Sequence, residues 1–170
     1  MPSETILVAA AFEHTDDAEA AVRDLGNSGF GPGSVSLMYT DRKHVVEQGI
    51  MSGVAFGGII GGLVGLLFPP AGIVVAAGPI LGAVASALSG AATVAVAGGA
   101  LSGLTSALVQ AGMPREMADM FGEHVHKGDT LVVVHAPAGD LAQRAKLILD
   151  RHNPRAAEQH EMQSPVQPAT

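Results

Sequence analysis

The chain has 170 residues, a formal net charge of −7 and no cysteine, and only 15% of its residues are charged, against roughly 25% in an average domain. Nucleic-acid binding needs clustered lysine and arginine, so this acidic chain without a basic stripe is a poor candidate for it. The absence of cysteine excludes disulfides, thiolate metal sites and a cysteine nucleophile. The first residues carry no basic segment, so we expect no secretory signal peptide.

The first part of the chain predicts a β-α-β unit. Thr5–Phe12 is a short apolar run typical of a buried strand. Thr15 is a suitable N-cap for the helix that follows, with Asp16 and Asp17 in its first turn, where carboxylates meet the positive end of the helix dipole. A glycine-rich loop then leads to a second predicted strand, Val35–Tyr39.

The last part of the chain predicts a second unit of the same kind. A helix begins after Pro114 and runs to about His126, and Thr130–Ala136 is the clearest strand of the sequence. Asp140 is predicted to cap a further helix. Ala156–Met162 is predicted as a weak, polar edge strand.

These elements predict an α+β fold. The two β-α-β halves look like an internal repeat, and two such halves in tandem form a ferredoxin-like split β-α-β sandwich. The alternative is that any two β-α-β units resemble each other at this level. The predicted parts are a first half over 3–44, a glycine-zipper helical insertion over 45–112, a helix plus second half over 113–162, and a disordered tail over 163–170.

A stretch over 49–114, most of it in the insertion, has 66 residues without aspartate, glutamate, lysine, arginine or histidine. Small residues recur in it at every fourth position, which places them on one helix face where another backbone can approach closely. Glycine costs a helix about 1 kcal/mol relative to alanine, so this pattern predicts compensating helix packing in lipid or in an oligomer. The predicted packing residues are Gly53, Gly57, Gly61, Gly65, Gly78, Gly82, Ser86, Gly90, Gly99, Gly103 and Ala107.

Helix breakers divide this insertion into three predicted helices. Pro69 and Pro70 end the first, and Ser89–Ala92 is a softer break. The predicted helices are Val46–Phe68, Ala71–Leu88 and Ala91–Ala111.

The insertion has a membrane-crossing interpretation and a soluble one. Ile50–Phe68 is marginally long enough, since about 20 apolar residues cross a bilayer. Both halves of one sandwich must lie on the same side, so the number of crossings is even: a two-span hairpin, a re-entrant arrangement or none. Basic residues at Arg42, Lys43 and Arg115, which flank the insertion, favour a location of the sandwich on the cytoplasmic side of the inner membrane. The alternative is a cytoplasmic soluble oligomer with the insertion buried between subunits.

The sequence also resembles a known family. The segment GMPREMADMFGEHVHKGDTLVVVHA (Gly112–Ala136), the GGIIGGLVG core of the insertion and the opening strand and helix resemble bacterial heat-induced, general-stress proteins of the YflT type. That resemblance implies a stress-linked, membrane-associated protein, and the family supplies no catalytic residues to carry over. Met117 and Met120 stand where aromatic residues are common in the family.

Candidate chemistry is sparse elsewhere. His124 and His126 form an HxH pair, but metal pairs on a helix are usually four residues apart, and histidine near a helix C-terminus interacts favourably with the dipole. Met113, Met117 and Met120 suit apolar packing better than a ligand site. No nucleophile with a neighbouring base and no phosphate-binding loop is evident, so we predict no catalytic residue, metal or cofactor.

Three functions remain as hypotheses. The first is a non-enzymatic, membrane-associated, homo-oligomerising scaffold whose α/β domain binds a protein partner. The second is an oligomeric carrier or conduit that holds a lipid, quinone or similar molecule in an apolar lumen. An enzyme is the least supported of the three.

Overall fold

The structure, a computed structural model, describes residues 4–31, 33–41, 64–68, 72–77, 79 and 104–162. Its elements in chain order are β1 (Thr5–Phe12), α1 (Thr15–Asn27), β2 (Val35–Asp41), β3 (Val64–Phe68), β4 (Gly72–Ala77), α2 (104–110), α3 (Arg115–Lys127), β5 (Thr130–Pro137), α4 (Asp140–Arg151) and β6 (Ala156–Met162).

The protein is α+β, with an antiparallel sheet. The strands lie in the order β6-β1-β5-β2-β4-β3. Strands β1 and β5 are inner neighbours that come from distant parts of the chain, with Thr5 opposite Pro137 and Phe12 opposite Thr130. Strand β2 separates this pair from the β3–β4 hairpin, because it pairs with β5 on one side and β4 on the other.

Helices cover both faces of the part of the sheet formed by β1, β5 and β2. On one face, α1 and α4 pack on a buried cluster that includes Phe12, Leu25 and Leu149. On the other face, α2 and α3 pack on a second cluster that includes Leu104 and Phe121. This double burial explains why the sequences of β1 and β5 are continuous apolar runs, since a sheet with one solvated face would show alternation.

The helix starts differ from those predicted by one residue. The N-cap of α1 is His14 and that of α4 is Gly139, and neither makes a side-chain capping hydrogen bond. Thr15 and Asp140 are therefore the first helical residues and not the caps. The carboxylates of Asp16 and Asp140 still lie in the first turn, where the dipole favours them.

Two predicted helices of the insertion are wrong where the structure describes them. Residues 64–68 are β3 and not the end of a helix, so Gly65 is a strand residue paired with Val75. Residues 72–77 are β4, within the predicted second helix Ala71–Leu88. The hairpin is the better solution locally because Ile73–Val75 is β-branched and two prolines separate the strands.

Strand β3 also interrupts the predicted span Ile50–Phe68, whose last five residues are extended. By contrast, residues 104–110 are helical, in agreement with the third predicted helix over that part.

Candidate functional site: the attachment of the insertion

The structure describes two of the predicted packing residues. Gly65 lies in β3, where a four-residue helical spacing has no meaning. Ala107 lies in α2 and is fully buried against the chain's own sheet. The others lie outside the described residues: Gly53, Gly57, Gly61, Gly78, Gly82, Ser86, Gly90, Gly99 and Gly103.

The charge-free stretch is attached to the domain's sheet through its β3–β4 hairpin. Strand β4 extends the sheet by pairing with β2 over five positions, from Leu37 opposite Ala77 to Asp41 opposite Ile73. Strand β3 then pairs with β4, from Val64 opposite Ala76 to Phe68 opposite Gly72. Part of the insertion is thereby an integral part of the domain's sheet.

The stretch is attached again at its exit, through α2. Leu104, Ala107 and Leu108 are fully buried in the same cluster as Phe121 of α3. Burying a leucine side chain stabilises a fold by roughly 1.5–3 kcal/mol. The end of the insertion is therefore held by ordinary core packing.

A close contact between α2 and α3 was not predicted from the sequence. A Cβ built on Gly122 would stand 3.3 Å from Oγ1 of Thr105 and 3.6 Å from its backbone nitrogen. Gly122 is buried within α3, so the absence of a side chain lets α2 approach there. A single glycine inside a helix gives no spacing pattern, so no sequence signal marked this position.

The methionines near α3 pack as their sequence spacing indicated. Met113 is buried in the cluster beneath α2 and α3, and Met117 and Met120 are partly buried against it. They supply adaptable apolar contact between the helices and the sheet.

His135 joins the sheet to the loop that follows α2. Its Nε2 lies 3.4 Å from the carbonyl oxygen of Ala111, and its backbone N–H donates to Ser34. Burial lowers the pKa of His135 below its usual 6.5, and the Ala111 carbonyl partly opposes that shift. The Nδ1 atom is buried and has no hydrogen-bond partner among the described residues.

His124 has a role beyond the helix dipole. Its Nδ1 lies 2.7 Å from Oδ2 of Asp129, which is only 5% exposed. The Asp129 N–H donates to the His124 carbonyl and the Gly128 N–H to that of Val125. Those two bonds, with Gly128 at φ 107°, form a Schellman motif. This geometry accounts for the HxH sequence as the end of a helix.

An exposed ion pair lies near the same end of the sheet. Arg155 contacts Glu13 at 2.6 Å, and its hydrogen bond and charge lower the pKa of the Glu13 carboxyl. The backbone N–H of Arg155 also donates to the Ala11 carbonyl, which positions the residue just before β6. The pair ties β6 to the end of β1.

Within the described ranges, no group of three or more histidine, aspartate and glutamate side chains is placed to hold a metal ion. No helix in the part of the chain that the structure describes is long and apolar enough to span a bilayer. No family model, no curated protein and no solved structure matches this chain. The resemblance to the general-stress proteins therefore stays a prediction.

Proposed function

We propose that this chain is a non-enzymatic, membrane-associated scaffold that self-assembles through its charge-free insertion. The observation that carries the proposal is the attachment of that insertion to one α/β domain at two places along its length. The first place is the pairing of β4 with β2, and the second is the burial of the α2 leucines near the end of the insertion. We infer that the remaining length of this charge-free segment meets lipid or another copy, because apolar residues gain free energy when they leave water.

The finer fold that accompanies this proposal is a ferredoxin-like sandwich formed by β1, α1, β2, β5, α4 and β6. The strand order β6-β1-β5-β2 supports it, because each β-α-β half leaves a gap that a strand of the other half fills. Helices α1 and α4 share one face of the sheet. The other face, covered by α2 and α3, is where the insertion returns.

The glycine-zipper contact remains the proposed mode of assembly, with the register before β3 reduced to Gly53, Gly57 and Gly61. Residues 50–63 are too few to cross a bilayer, which takes about 20 apolar residues. We therefore place the assembly at the cytoplasmic side of the inner membrane, with peripheral or re-entrant contact by this segment. A stress-linked role is proposed on the sequence resemblance alone.

The test uses the full chain and its Gly57→Leu/Gly61→Leu variant, with Gly33→Leu as control. Gly33 is exposed and has no atom within 4 Å of a built Cβ. Mass photometry with and without detergent should give an oligomer for wild type and control, and a smaller species for the double variant. Flotation with phosphatidylethanolamine/phosphatidylglycerol vesicles should carry wild type upward.

A wild-type monomer that stays in the aqueous fraction would overturn the proposal. A soluble oligomer that fails to float would restrict it to assembly without a membrane. Quinone or lipid recovered by mass spectrometry from the purified oligomer would instead favour a carrier.

A further inference from the structure

Strand β6 presents backbone hydrogen-bonding groups along its outer edge. Within the described part of the chain it pairs with β1 and has no strand on its other side. The side chains of Glu158, Gln159 and Glu161 are exposed, and that of His160 is half-buried. An unpaired edge of this kind accepts another strand or must be protected from one.

The alternation of hydrogen-bonded and non-hydrogen-bonded pairs along the ladder identifies which backbone groups of β6 point outward. The Ala138 N–H donates to the Glu4 carbonyl at 2.8 Å, which continues the ladder in which Thr5 faces Pro137. Hydrogen-bonded pairs alternate along an antiparallel ladder. Even-numbered residues of β1 therefore bond to β5, and odd-numbered residues bond to β6.

The same alternation fixes which residues of β6 bond to β1. Ala9 lies opposite Glu158 and Leu7 opposite His160, so the backbone groups of Glu158 and His160 bond inward to β1. The N–H and C=O groups of Ala157, Gln159 and Glu161 point away from it. The outer edge thus offers three evenly spaced donor and acceptor pairs centred on Gln159.

We propose that this edge pairs with β6 of a second copy, antiparallel about Gln159, which joins two sheets into one. Centring on Gln159 overlaps the whole strand, Ala156 opposite Met162. It also opposes Glu158 of each copy to His160 of the other. These are non-hydrogen-bonded pairs, in which side chains lie closest.

Charge selects this register over its neighbours. Centring the pairing on Glu158 would oppose two carboxylates, and centring it on His160 would oppose two imidazoles. Two carboxylates directly opposite each other are destabilising, whereas a carboxylate opposite an imidazole can accept a hydrogen bond from its ring N–H. The proposal goes beyond the scaffold function, since it uses the edge of the α/β domain and stands whether or not the insertion assembles.

The absence of cysteine in the chain permits a test specific for register. Full-length Glu158→Cys and His160→Cys proteins are oxidised separately and as a mixture. Cα atoms of a non-hydrogen-bonded pair are about 4.5 Å apart, within the disulfide range of about 4.4–6.8 Å. The mixture should give a disulfide heterodimer several-fold faster than either variant alone. Equal rates in all three samples would overturn the proposal.

Gln159→Pro tests the edge without removing an inward bond, since the Gln159 N–H points outward. Proline is tolerated at such edge positions. Introduced into both cysteine variants, it should slow cross-linking about tenfold or more while leaving the far-ultraviolet spectrum unchanged. Undiminished cross-linking by the folded variant would contradict the pairing.

A charge exchange covers the case in which Gln159→Pro fails to fold. Glu158→Lys should weaken self-association, measured by sedimentation velocity, and Glu158→Lys/His160→Glu should restore it. The Gly57→Leu/Gly61→Leu background removes assembly through the insertion, so persistence of the exchange effect there separates the two interfaces. No effect of either exchange in that background would count against β6 pairing.

Discussion

Gly122 of α3 lies against Thr105 of α2 so closely that a Cβ on Gly122 would stand 3.3 Å from the threonine Oγ1. Alanine there gains about 1 kcal/mol of helix propensity, and a small rotation of the threonine hydroxyl can relieve the contact. We therefore expect Gly122→Ala to change the free energy of unfolding by less than about 1 kcal/mol. Leucine cannot be accommodated, so Gly122→Leu should cost about 2 kcal/mol or more. Exposed Asp119→Leu in the same helix is the control, and urea unfolding is the measurement.

Gly128 ends α3 with φ 107°, a left-handed conformation that side chains other than glycine rarely adopt. Gly128→Ala should lower the free energy of unfolding by about 1 kcal/mol or more through that strain and the weakened Schellman motif. Gly33→Ala is the matched control, because both sites have open space around a built Cβ and only Gly128 has positive φ. Equal effects of the two variants on the thermal midpoint would refute the strain argument.

His135 makes stability depend on pH. Its folded-state pKa is lowered, chiefly by burial, from 6.5, so the unfolded chain binds more protons in the interval between the two pKa values. Stability therefore falls as the pH drops below about 6.5 and stops falling below the folded pKa. His135→Gln should reduce the gain in unfolding free energy between pH 5 and pH 7.5. His14→Gln, at an exposed site, controls for the loss of a histidine as such; a wild-type slope in His135→Gln would exclude this origin.

The Arg155 guanidinium holds the pKa of Glu13 below its usual 4.5. Arg155→Gln should raise that pKa toward 4.5, as followed by carbon-13 NMR of the Glu13 carboxyl. A lowered folded-state pKa contributes stability above the unfolded value, and that contribution is lost as the pH falls through the folded value. Because both side chains are exposed, the shift should shrink in 1 M salt. A Glu13 pKa indifferent to the substitution would contradict the ion pair.

The pKa of a second carboxyl, that of Glu4, is shifted in the opposite direction. The pKa of Glu4 is raised from 4.5 by a hydrogen bond with Glu161 and by its charge. Glu161→Gln removes the charge, so the Glu4 pKa should move down, again measured by carboxyl NMR. The favourable contact is present at low pH and is lost as the pH rises through the raised value. Glu158→Gln, on the alternate face of β6, is the control.

The outer elements could be predicted because their local patterns are unambiguous. Thr5–Phe12 and Thr130–Pro137 are apolar runs of strand length bounded by turn residues, and the helices after them have clear apolar faces. The same two runs also contain a signal for the environment of the sheet. Continuous rather than alternating apolar residues report a sheet covered on both faces, which the structure gives by placing α2 and α3 opposite α1 and α4.

The hairpin β3–β4 could not be predicted from the spacing of glycines. Gly65 stands four residues after Gly61, as in a helical groove, yet a short apolar run is equally compatible with a buried strand. What decides the outcome is pairing with β2, a tertiary interaction that no local pattern contains. The contact between His124 and Asp129 could have been predicted from the sequence, because Gly128 immediately after a helix marks the Schellman geometry that brings them together.

The pairing of β1 with β5 has a consequence for the order of folding. Thr5 cannot meet Pro137 until the entire charge-free stretch between them has been synthesised. Contacts this distant in sequence form slowly, because a long loop must close first. During translation the apolar segment is complete before the β1–β5 pair can form. The charge-free stretch therefore leaves the ribosome while the domain that holds it is still unfinished.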